Sequence, residues 1–465
     1  MAEPVNLIAL SGQALRTAPP VGEKLRITLI SPRGPLYRHR GGIWKKAMRY
    51  APLTLTTLAS LIPPEIPAEV RIIDEGIDEI DLDRIDADLV GISAITGTAP
   101  RAYEISAELR KRGVPVVLGG VHPTLLPEEA ICHADSIVVG YAEDSWPQLL
   151  RDFVAGSIKK RYDQSPNLKL VNLPFPQRKM YDSRLFNVAE TIEATRGCIY
   201  QCDFCVVPAA WGKPLQKPVA DVVADLKQMG ARRVIFLDLN LISDPHYAKE
   251  LFTALIPLKI RWGGLATTTI AWDDELLDLA ARSGCRGLLI GFESVNQTTL
   301  HDAKKAFNMR LDYRDVAARV HARGIAIMGC FVFGLDNDTL DSFDQTVTLV
   351  MEAHIDLPRY AIATPFPATG LFNKLKAAGR IMTEDWSLYD GQHVVFRPKN
   401  MTANELLRNT RRAWTQTYGY KSIFKRLAGS GIQLPISISA NLGYRFYASH
   451  LDSFYTCDWQ LAPGA

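Results

Sequence analysis

The chain has 465 residues, of which 47% are hydrophobic and 22% charged, and its formal net charge is +3. This length is enough for two or three domains, and the composition is typical of a soluble globular protein. The small net charge gives no indication of a nucleic-acid partner, and we expect neither a signal peptide nor a transmembrane segment.

Cysteine usage argues against a secreted disulfide framework. The chain has seven cysteines, three of them within eight residues and the others scattered. This pattern predicts a reducing, cytoplasmic environment. Because a free cysteine behaves as a small hydrophobic residue, we expect Cys132, Cys285 and Cys330 to lie in the core.

The first part of the chain alternates strand and helix patterns. Helices are predicted at Pro52–Leu61, at Ala99–Arg112 and from Asp144 to about Phe153. Short apolar runs between them predict strands at Leu25–Ile30, Val70–Ile73, Ala87–Ser93, Val114–Gly119 and Ser136–Val139. The alternation predicts an α/β domain with a doubly wound parallel sheet over residues 25–155, after an N-terminal extension of residues 1–24. Such sheets bind ligands at the carboxyl ends of their strands.

A segment with little periodicity follows this domain. Residues 156–187 contain Pro166, Pro174 and Pro176 and show neither a helical nor a strand repeat. We therefore predict a linker between two domains.

The second part again alternates strands and helices. Six strand-like runs are separated by helical patterns: Thr191–Thr195, Arg233–Leu239, Trp262–Thr268, Gly287–Glu293, Ala326–Gly334 and Arg359–Thr364. They predict a partial (β/α)6 barrel over residues 188–378, with its chemistry at the carboxyl ends of the strands. Residues 379–465 are rich in aromatic side chains, and they are predicted to form a mostly helical cap, either packed on the barrel or closing over an apolar substrate.

The three clustered cysteines directly follow the first predicted barrel strand. Cys198, Cys202 and Cys205 have the spacing Cys-x3-Cys-x2-Cys. Thiolates are the usual ligands of iron–sulfur clusters, and three ligands leave one iron of a four-iron cluster open to bind a reactant. The alternative is a zinc site, but structural zinc takes four protein ligands, and no second Cys or His pair stands at zinc spacing.

This segment, with Phe204 before the last cysteine, resembles the signature of the radical S-adenosylmethionine (SAM) enzymes. The resemblance implies that Cys198, Cys202 and Cys205 hold a [4Fe-4S] cluster, and that Phe204 lies near the bound SAM. In that family SAM binds the open iron and is cleaved to a 5′-deoxyadenosyl radical, which takes a hydrogen atom from the substrate.

Two further strand ends match motifs of the same family. Phe236 to Asn240 resembles a segment near the SAM amino group, so the resemblance implies SAM contacts for Asp238 and Asn240; the alternative is a helix cap and a turn. Gly291 to Ser294 resembles a ribose-binding segment and implies SAM contacts for Glu293 and Ser294, although Ser294 could equally cap a helix.

The N-terminal domain is similar to the cobalamin-binding domain of the B12-dependent radical SAM enzymes. The residues that carry this resemblance, and its implied cobalamin contacts, follow the third and fourth strands: Ser93, Gly119, Gly120 and His122. Glycines there would let the backbone approach a flat ligand closely. The D-x-H-x-x-G motif that supplies a histidine to cobalt is absent, so His122 could be a cobalt ligand or a loop hydrogen-bonding residue.

The combined resemblance implies a Rossmann-like cobalamin-binding domain, a radical SAM barrel and a helical cap. The implied function is methylation of an unactivated carbon in an apolar substrate such as a lipid, a tetrapyrrole or a natural product. Oxidative cyclisation with the same cofactors is the alternative, and a cobalamin or iron–sulfur sensor is the non-enzymatic alternative. The implied partners are a small-molecule substrate and a flavodoxin- or ferredoxin-type reductant.

Overall fold

The computed structural model describes residues 16–20, 22–34, 47–188, 190–309, 311–431 and 434–451. The chain divides into two compact units, Met1–Thr191 and Ile192–Ala465. Most of the predicted N-terminal extension lies outside the described residues. Among the described residues, every helix is too short or too polar to cross a bilayer.

The first unit is built around one parallel sheet. Its strands are β1 (Leu25–Ser31), β2 (Ala47–Tyr50), β3 (Ala68–Asp74), β4 (Leu89–Ser93), β5 (Val116–Gly119), β6 (Ser136–Val139), β7 (Arg161–Asp163) and β8 (Phe186–Val188). Its helices are α1 (Thr54–Ser60), α2 (Ala99–Lys111), α3 (Val121–Leu125), α4 (Pro127–Ala130) and α5 (Ser145–Val154). The six-stranded sheet has the order β3-β1-β4-β5-β6-β7, and β2 pairs with β8 separately.

Both faces of this sheet are covered, which confirms the predicted doubly wound class. Successive side chains of β1 point to opposite faces, so that Leu29 enters one apolar cluster and Ile30 the other. Val117 and Leu118 of β5 divide in the same way. The chain therefore needs helices on both sides of the sheet to bury these residues.

The segment predicted as a linker contributes to the sheet. Arg161–Asp163 forms β7 and pairs in parallel with β6, where Tyr162 lies beside Val138. A three-residue edge strand is too short to show a sequence period, which is why residues 156–187 resemble a linker. We therefore propose that the first domain extends from residue 25 to at least Asp163.

The second unit contains a six-stranded sheet with the order β16-β15-β14-β13-β12-β9. Its strands, together with the small pair β10–β11, are β9 (Thr191–Ile192), β10 (Thr195–Arg196), β11 (Leu215–Gln216), β12 (Arg233–Phe236), β13 (Arg261–Ala266), β14 (Cys285–Glu293), β15 (Ala326–Phe333) and β16 (Arg359–Ile362). Neighbours from β12 to β16 pair in parallel. The helices between and after them are α6 (Val206–Trp211), α7 (Val219–Met229), α8 (Pro245–Leu255), α9 (Asp274–Arg282), α10 (Gln297–Asp302), α11 (Tyr313–His321), α12 (Asp341–Glu352), α13 (Gly370–Ala377), α14 (Ala403–Thr417), α15 (Tyr420–Ser430) and α16 (Leu434–Ser449).

This order is that of the predicted partial barrel, whose edge strand β16 is covered by the C-terminal helices. The backbone carbonyl of Tyr360 in β16 accepts hydrogen bonds from Gln392 Nε2 and Trp414 Nε1. The amide of Ile362 donates to the carbonyl of Gly391 at 2.7 Å. These contacts satisfy edge groups that have no partner strand.

One buried cation joins the cap helices to the barrel. Arg426 of α15 is fully buried and donates to the carbonyls of Ile355, Asp356 and Thr417 and to Oδ1 of Asn441. The predicted mostly helical C-terminal region is confirmed over its described residues, and Arg426 packs it against the barrel.

The prediction for the isolated cysteines is only partly right. Cys285 is buried, Cys330 is half-buried on β15, and Cys132 is exposed. Cys132 follows α4 on the surface of the first unit, where its thiol contacts the carbonyl of Glu128 at 3.4 Å. It belongs to a short helical turn with no apolar period, so the sequence carried no signal of its exposure.

Candidate functional site

The cysteine loop connects β10 to α6. It begins at Gly197, whose φ of 78° is a left-handed conformation that favours glycine, and it reaches α6 at Cys205. The amide of Cys205 donates to the carbonyl of Cys202 at 3.0 Å, which closes a turn between two of the thiols. All three cysteines are half-buried. The loop thus presents three thiols at one end of the barrel sheet.

Asp203 anchors this loop to the barrel. Its amide donates to the carbonyl of Ala303 at 3.0 Å, and its carbonyl accepts from Leu371 at 2.9 Å. Its carboxylate pairs with Lys304 at 3.0 Å. The backbone contacts join the loop to the ends of α10 and α13, so the two elements fix the position of the thiols.

Gly370 must be small for this anchoring to form. A Cβ added at Gly370 would lie 2.0 Å from Oδ1 of Asp203. We expect Gly370→Ala to displace the loop and to reduce the iron content of anaerobically reconstituted protein severalfold. The matched control is Gly419→Ala, where the added Cβ would be at an ordinary 3.5 Å from its nearest neighbour. Equal iron content in both variants would contradict this account of the loop.

The loop after β12 brings an amide to the first thiol. Asn240 is buried, and its Nδ2 lies 3.5 Å from Sγ of Cys198. Its Oδ1 is buried without a hydrogen-bond partner among the described residues. An unsatisfied buried acceptor beside the thiols is suited to an ammonium group, which is a donor only.

The carboxylate of Asp238 makes its hydrogen bonds within the protein. It is fully buried, and its carboxylate accepts hydrogen bonds from the amides of Ala194 and Thr195 and from the Thr195 hydroxyl. Burial raises its pKa to about 7, although these hydrogen bonds favour the charged form. The contacts interrupt the predicted strand Thr191–Thr195 between β9 and β10. We therefore propose that Asp238 positions the chain before the cysteine loop, in place of the predicted SAM contact.

Glu293 ends β14 in a strained conformation and forms a buried ion pair. Its φ is 65°, next to a register shift between β14 and β15. Its Oε1 lies 2.6 Å from Nζ of Lys305, and both side chains are largely buried. Gly291 provides the space, since a Cβ there would lie 2.3 Å from Glu293 Oε1 and 2.9 Å from Lys305 Nζ.

Lys305 was missed by sequence reasoning. It follows α10 and is adjacent to Lys304, so the pair resembles two solvated lysines in the sequence. In the structure Lys305 is 5% exposed. Its ammonium lowers the pKa of the Cys202 and Cys205 thiols, while burial and the carboxylate of Glu293 raise it. The cation therefore belongs to the electrostatic surroundings of the cysteine loop.

The other two predicted SAM residues lie elsewhere around the loop. Ser294 is buried, and its Oγ accepts a hydrogen bond from the amide of Asn296 at 3.1 Å, in a turn that leads to α10. Phe204 lines a small pocket with residues from α10, α13 and the turn after β15, among them Asp302, Leu335 and Leu371. Ser294 thus closes a turn just before α10, whose N-cap is Asn296, while Phe204 lines a cavity.

The thiols are suited to a cluster rather than to a single ion. Burial raises the pKa of Cys202 to about 11 and also raises that of Cys205. A bound metal deprotonates such thiols, so loading would release protons. Among the described residues, no three His, Cys, Asp or Glu side chains converge closely enough for one metal ion. A four-iron cluster takes one thiolate per iron, and this single loop supplies three such ligands.

In the first unit, Ser93 lies at the carboxyl end of β4, and Gly119 and Gly120 lie at that of β5. The sheet order places a topological switch between β1 and β4, where doubly wound sheets bind ligands. Ser93 ends β4 there, and Ile95 just after it is 55% exposed. Gly119 ends the neighbouring strand, β5, and Gly120 follows it, so the backbone at this point carries no side chains. An exposed apolar side chain beside bare backbone is suited to a flat, largely apolar ligand.

His122 is not accessible to such a ligand. It is fully buried in α3, and its Nε2 lies 3.1 Å from Oε1 of Glu129, which also accepts a hydrogen bond from the Tyr103 hydroxyl. We therefore propose for His122 the hydrogen-bonding role that was its alternative, in place of a cobalamin contact.

Gly120 is the glycine of this region whose identity matters most. Its φ and ψ of 98° and −167° are nearly restricted to glycine, and a Cβ would lie 2.7 Å from the carbonyl of Ala94. We expect Gly120→Ala to destabilise the strand ends by about 1–3 kcal/mol, measured by hydrogen exchange of peptides covering β4 and β5. The control is Gly156→Ala, where φ is also positive but the added Cβ meets no atom within 4 Å. A Gly120→Ala protein that exchanges as slowly as the control would contradict the expectation.

Comparison with known proteins agrees with this two-part architecture. Residues 66–150 match the family model of the B12 binding domain, and residues 192–350 match that of the radical SAM superfamily. Bacteriochlorophyllide d C-12(1)-methyltransferase of Chlorobaculum tepidum is 33% identical over 396 residues, covering 81% of this chain and 85% of that protein. Bacteriochlorophyllide d C-8(2)-methyltransferase of the same organism is 32% identical over 396 residues, covering 80% and 87%.

Solved structures share the fold. The cobalamin-dependent SAM radical enzyme OxsB covers 92% of this chain and 73% of its own, with a TM-score of 0.64 and 15% identity. The radical SAM methyltransferase TsrM from Kitasatospora setae covers 78% and 79%, with a TM-score of 0.62 and 19% identity. The fold and the cysteine loop define the chain as a radical SAM enzyme with an N-terminal B12-binding domain. It belongs to the cobalamin-dependent radical SAM family.

Proposed function

We propose that this chain methylates an unactivated carbon of an apolar substrate, and that the substrate is a tetrapyrrole of the bacteriochlorophyllide class. The observation that carries the chemistry is the half-buried trio of thiols with a buried, unsatisfied amide oxygen beside it. The tetrapyrrole is favoured because the relatives at 33% and 32% identity are bacteriochlorophyllide methyltransferases that match most of this chain.

We assign the cluster to Cys198, Cys202 and Cys205. Asn240, through its free Oδ1, is the residue best suited to the SAM ammonium group, and Glu293, Phe204 and Ser294 remain proposed SAM neighbours. Ser93, Gly119 and Gly120, together with Ile95, would contact the cobalamin.

When bound, the [4Fe-4S] cluster and SAM supply a radical able to take hydrogen from an unreactive carbon, and cobalamin supplies a methyl group. The chain's own residues have supporting tasks. Asp203 and Gly370 hold the thiol loop, Asn240 donates to Sγ of Cys198, and Glu293 and Lys305 form a largely buried ion pair in the surroundings of the thiols.

Two further parts of the proposal concern the cell. The family chemistry needs low-potential electrons, and we propose a flavodoxin- or ferredoxin-type protein as their source. The scattered cysteines favour the cytoplasm, since the six that the structure describes are all free thiols.

The test is anaerobic turnover with SAM labelled in its methyl group. We expect brown protein with iron, sulfide and cobalt, and transfer of the labelled methyl to a bacteriochlorophyllide-type substrate. Anaerobic magnesium-protoporphyrin IX monomethyl ester cyclase of Cereibacter sphaeroides is 23% identical over 412 residues, so ring formation is the competing outcome. A product with a new ring and no label would contradict methylation, and protein that binds cobalamin but leaves SAM intact after reduction would indicate a sensor.

A further inference from the structure

Helix α15 exposes two large aromatic side chains. Its inward face is formed by Ile423, Arg426 and Leu427, which are buried. On the opposite face, Phe424 is 77% exposed and Tyr420 is 68% exposed. They are four residues apart and therefore adjacent on the helix surface. An exposed pair of aromatic side chains is typical of a surface that binds an apolar partner or a membrane.

The exposed apolar surface continues onto α16. The guanidinium of Arg445 lies 3.8 Å from the centre of the Tyr420 ring, which brings the two helices together at this point. Leu442 and Ile438 precede Arg445 by three and seven residues and so lie on the same side of α16. They are 47% and 40% exposed. We call this surface the α15–α16 face; it comprises Tyr420, Lys421, Phe424, Lys425, Ile438 and Leu442.

The segment that forms this face is basic, while Asp344 of the neighbouring helix α12 pairs with Arg412 of α14. Between residues 406 and 451 the sequence contains no Asp or Glu and seven basic residues, Arg408, Arg411, Arg412, Lys421, Lys425, Arg426 and Arg445. Lys421 and Lys425 directly follow Tyr420 and Phe424 and are exposed beside them. Elsewhere the basic and acidic residues nearly balance, since the whole chain has a formal charge of only +3.

Aromatic rings beside lysines, in a segment whose sequence contains no Asp or Glu, are suited to the interface of an anionic bilayer. Aromatic side chains enter the headgroup region, and lysines approach lipid phosphates. We propose that the α15–α16 face docks this protein reversibly on an anionic phospholipid surface. A bilayer is favoured over an acidic protein because the apolar residues of the face are 40–77% exposed and lie beside exposed lysines. This inference does not rest on the proposed methylation.

The experiment is cosedimentation of the full-length protein with vesicles. Phosphatidylcholine vesicles are compared with vesicles that also contain a quarter of phosphatidylglycerol, at low and high salt. We expect binding to the anionic vesicles that weakens with salt. The double substitution Lys421→Glu and Lys425→Glu should lower the partition coefficient about 25-fold or more, since each lysine contributes roughly a factor of five. Tyr420→Ser with Phe424→Ser should lower it roughly tenfold.

The matched control is Lys227→Glu with Lys399→Glu, which makes the same charge change at exposed positions outside the face. It should keep most of the binding. The proposal is overturned if anionic vesicles do not bind the protein, or if the control and the Lys421/Lys425 variant lose binding equally. It is also overturned if the face mediates dimers that the Tyr420/Phe424 variant dissociates, without vesicle binding. Since the assay needs no turnover, its failure is separate from failure of the proposed function.

Discussion

Replacing Cys202 by alanine is expected to abolish both the brown colour of the protein and the formation of 5′-deoxyadenosine. Cys202 is the middle thiol of the loop, and its carbonyl accepts the amide of Cys205, so the residue joins the other two ligands. A four-iron cluster with only two protein thiolates would not be retained. We expect iron content to fall to background and SAM cleavage to fall at least a thousandfold, an amount on the order of the loss of an essential catalytic group.

The control is Cys132→Ala, which removes an exposed thiol from the first unit and should change neither iron content nor SAM cleavage. Circular dichroism of the Cys202→Ala protein should match that of the parent, because the loop is held through the backbone and carboxylate of Asp203. Stoichiometric zinc in the parent protein, or a Cys202→Ala protein that still cleaves SAM, would contradict the cluster assignment.

The second large effect is expected for Lys305→Met. This change leaves the Glu293 carboxylate, whose side chain is 13% exposed, without its counter-charge at 2.6 Å. Breaking a buried pair in this way costs about 3–5 kcal/mol, because the remaining charge is desolvated and unpaired. We expect a loss of about 3 kcal/mol in the free energy of unfolding of the barrel, measured by urea titration, and reduced cluster content.

Lys304→Met provides a neighbouring control. Lys304 is also paired, with Asp203 at 3.0 Å, but its side chain is 65% exposed. An exposed pair contributes at most about 1 kcal/mol, so this variant should be nearly as stable as the parent. The double variant Glu293→Gln with Lys305→Met should recover part of the stability lost by Lys305→Met. Equal free energies of unfolding of the Lys304→Met and Lys305→Met proteins would contradict the expectation that the buried ion pair contributes more to stability than the exposed one.

The fold could be predicted from sequence because apolar runs alternate with amphipathic helices in both units. The sheet orders are consistent with the predicted doubly wound domain and partial barrel. The predicted elements differ from the structure in two situations. In one, a strand such as β7 is too short to show an alternating pattern. In the other, a side chain takes the backbone hydrogen bonds that a neighbouring strand would otherwise make. The carboxylate of Asp238 accepts hydrogen bonds from the amides of Ala194 and Thr195, so the strand predicted there is divided into β9 and β10.

For the three cysteines, residue type and spacing alone were enough to propose a role in the site. Sequence says less about a side chain whose role depends on its burial. Asp238 and His122 have functional side chains at strand ends, but hydrogen bonds within the fold occupy them. Conversely, Lys305 resembles a surface lysine in the sequence and becomes part of the site only because Gly291 leaves space for it.

The hydrogen bonds that Gln392, Trp414 and Gly391 make to β16 have a consequence for handling this protein. An open barrel ends in a strand that could recruit the same strand of another molecule, and here the chain's own later segments occupy that position. Truncation before Gly391 would remove all three partners and uncover the strand. We expect insoluble material during expression rather than a smaller working enzyme, because the segments after β16 protect this edge against self-association.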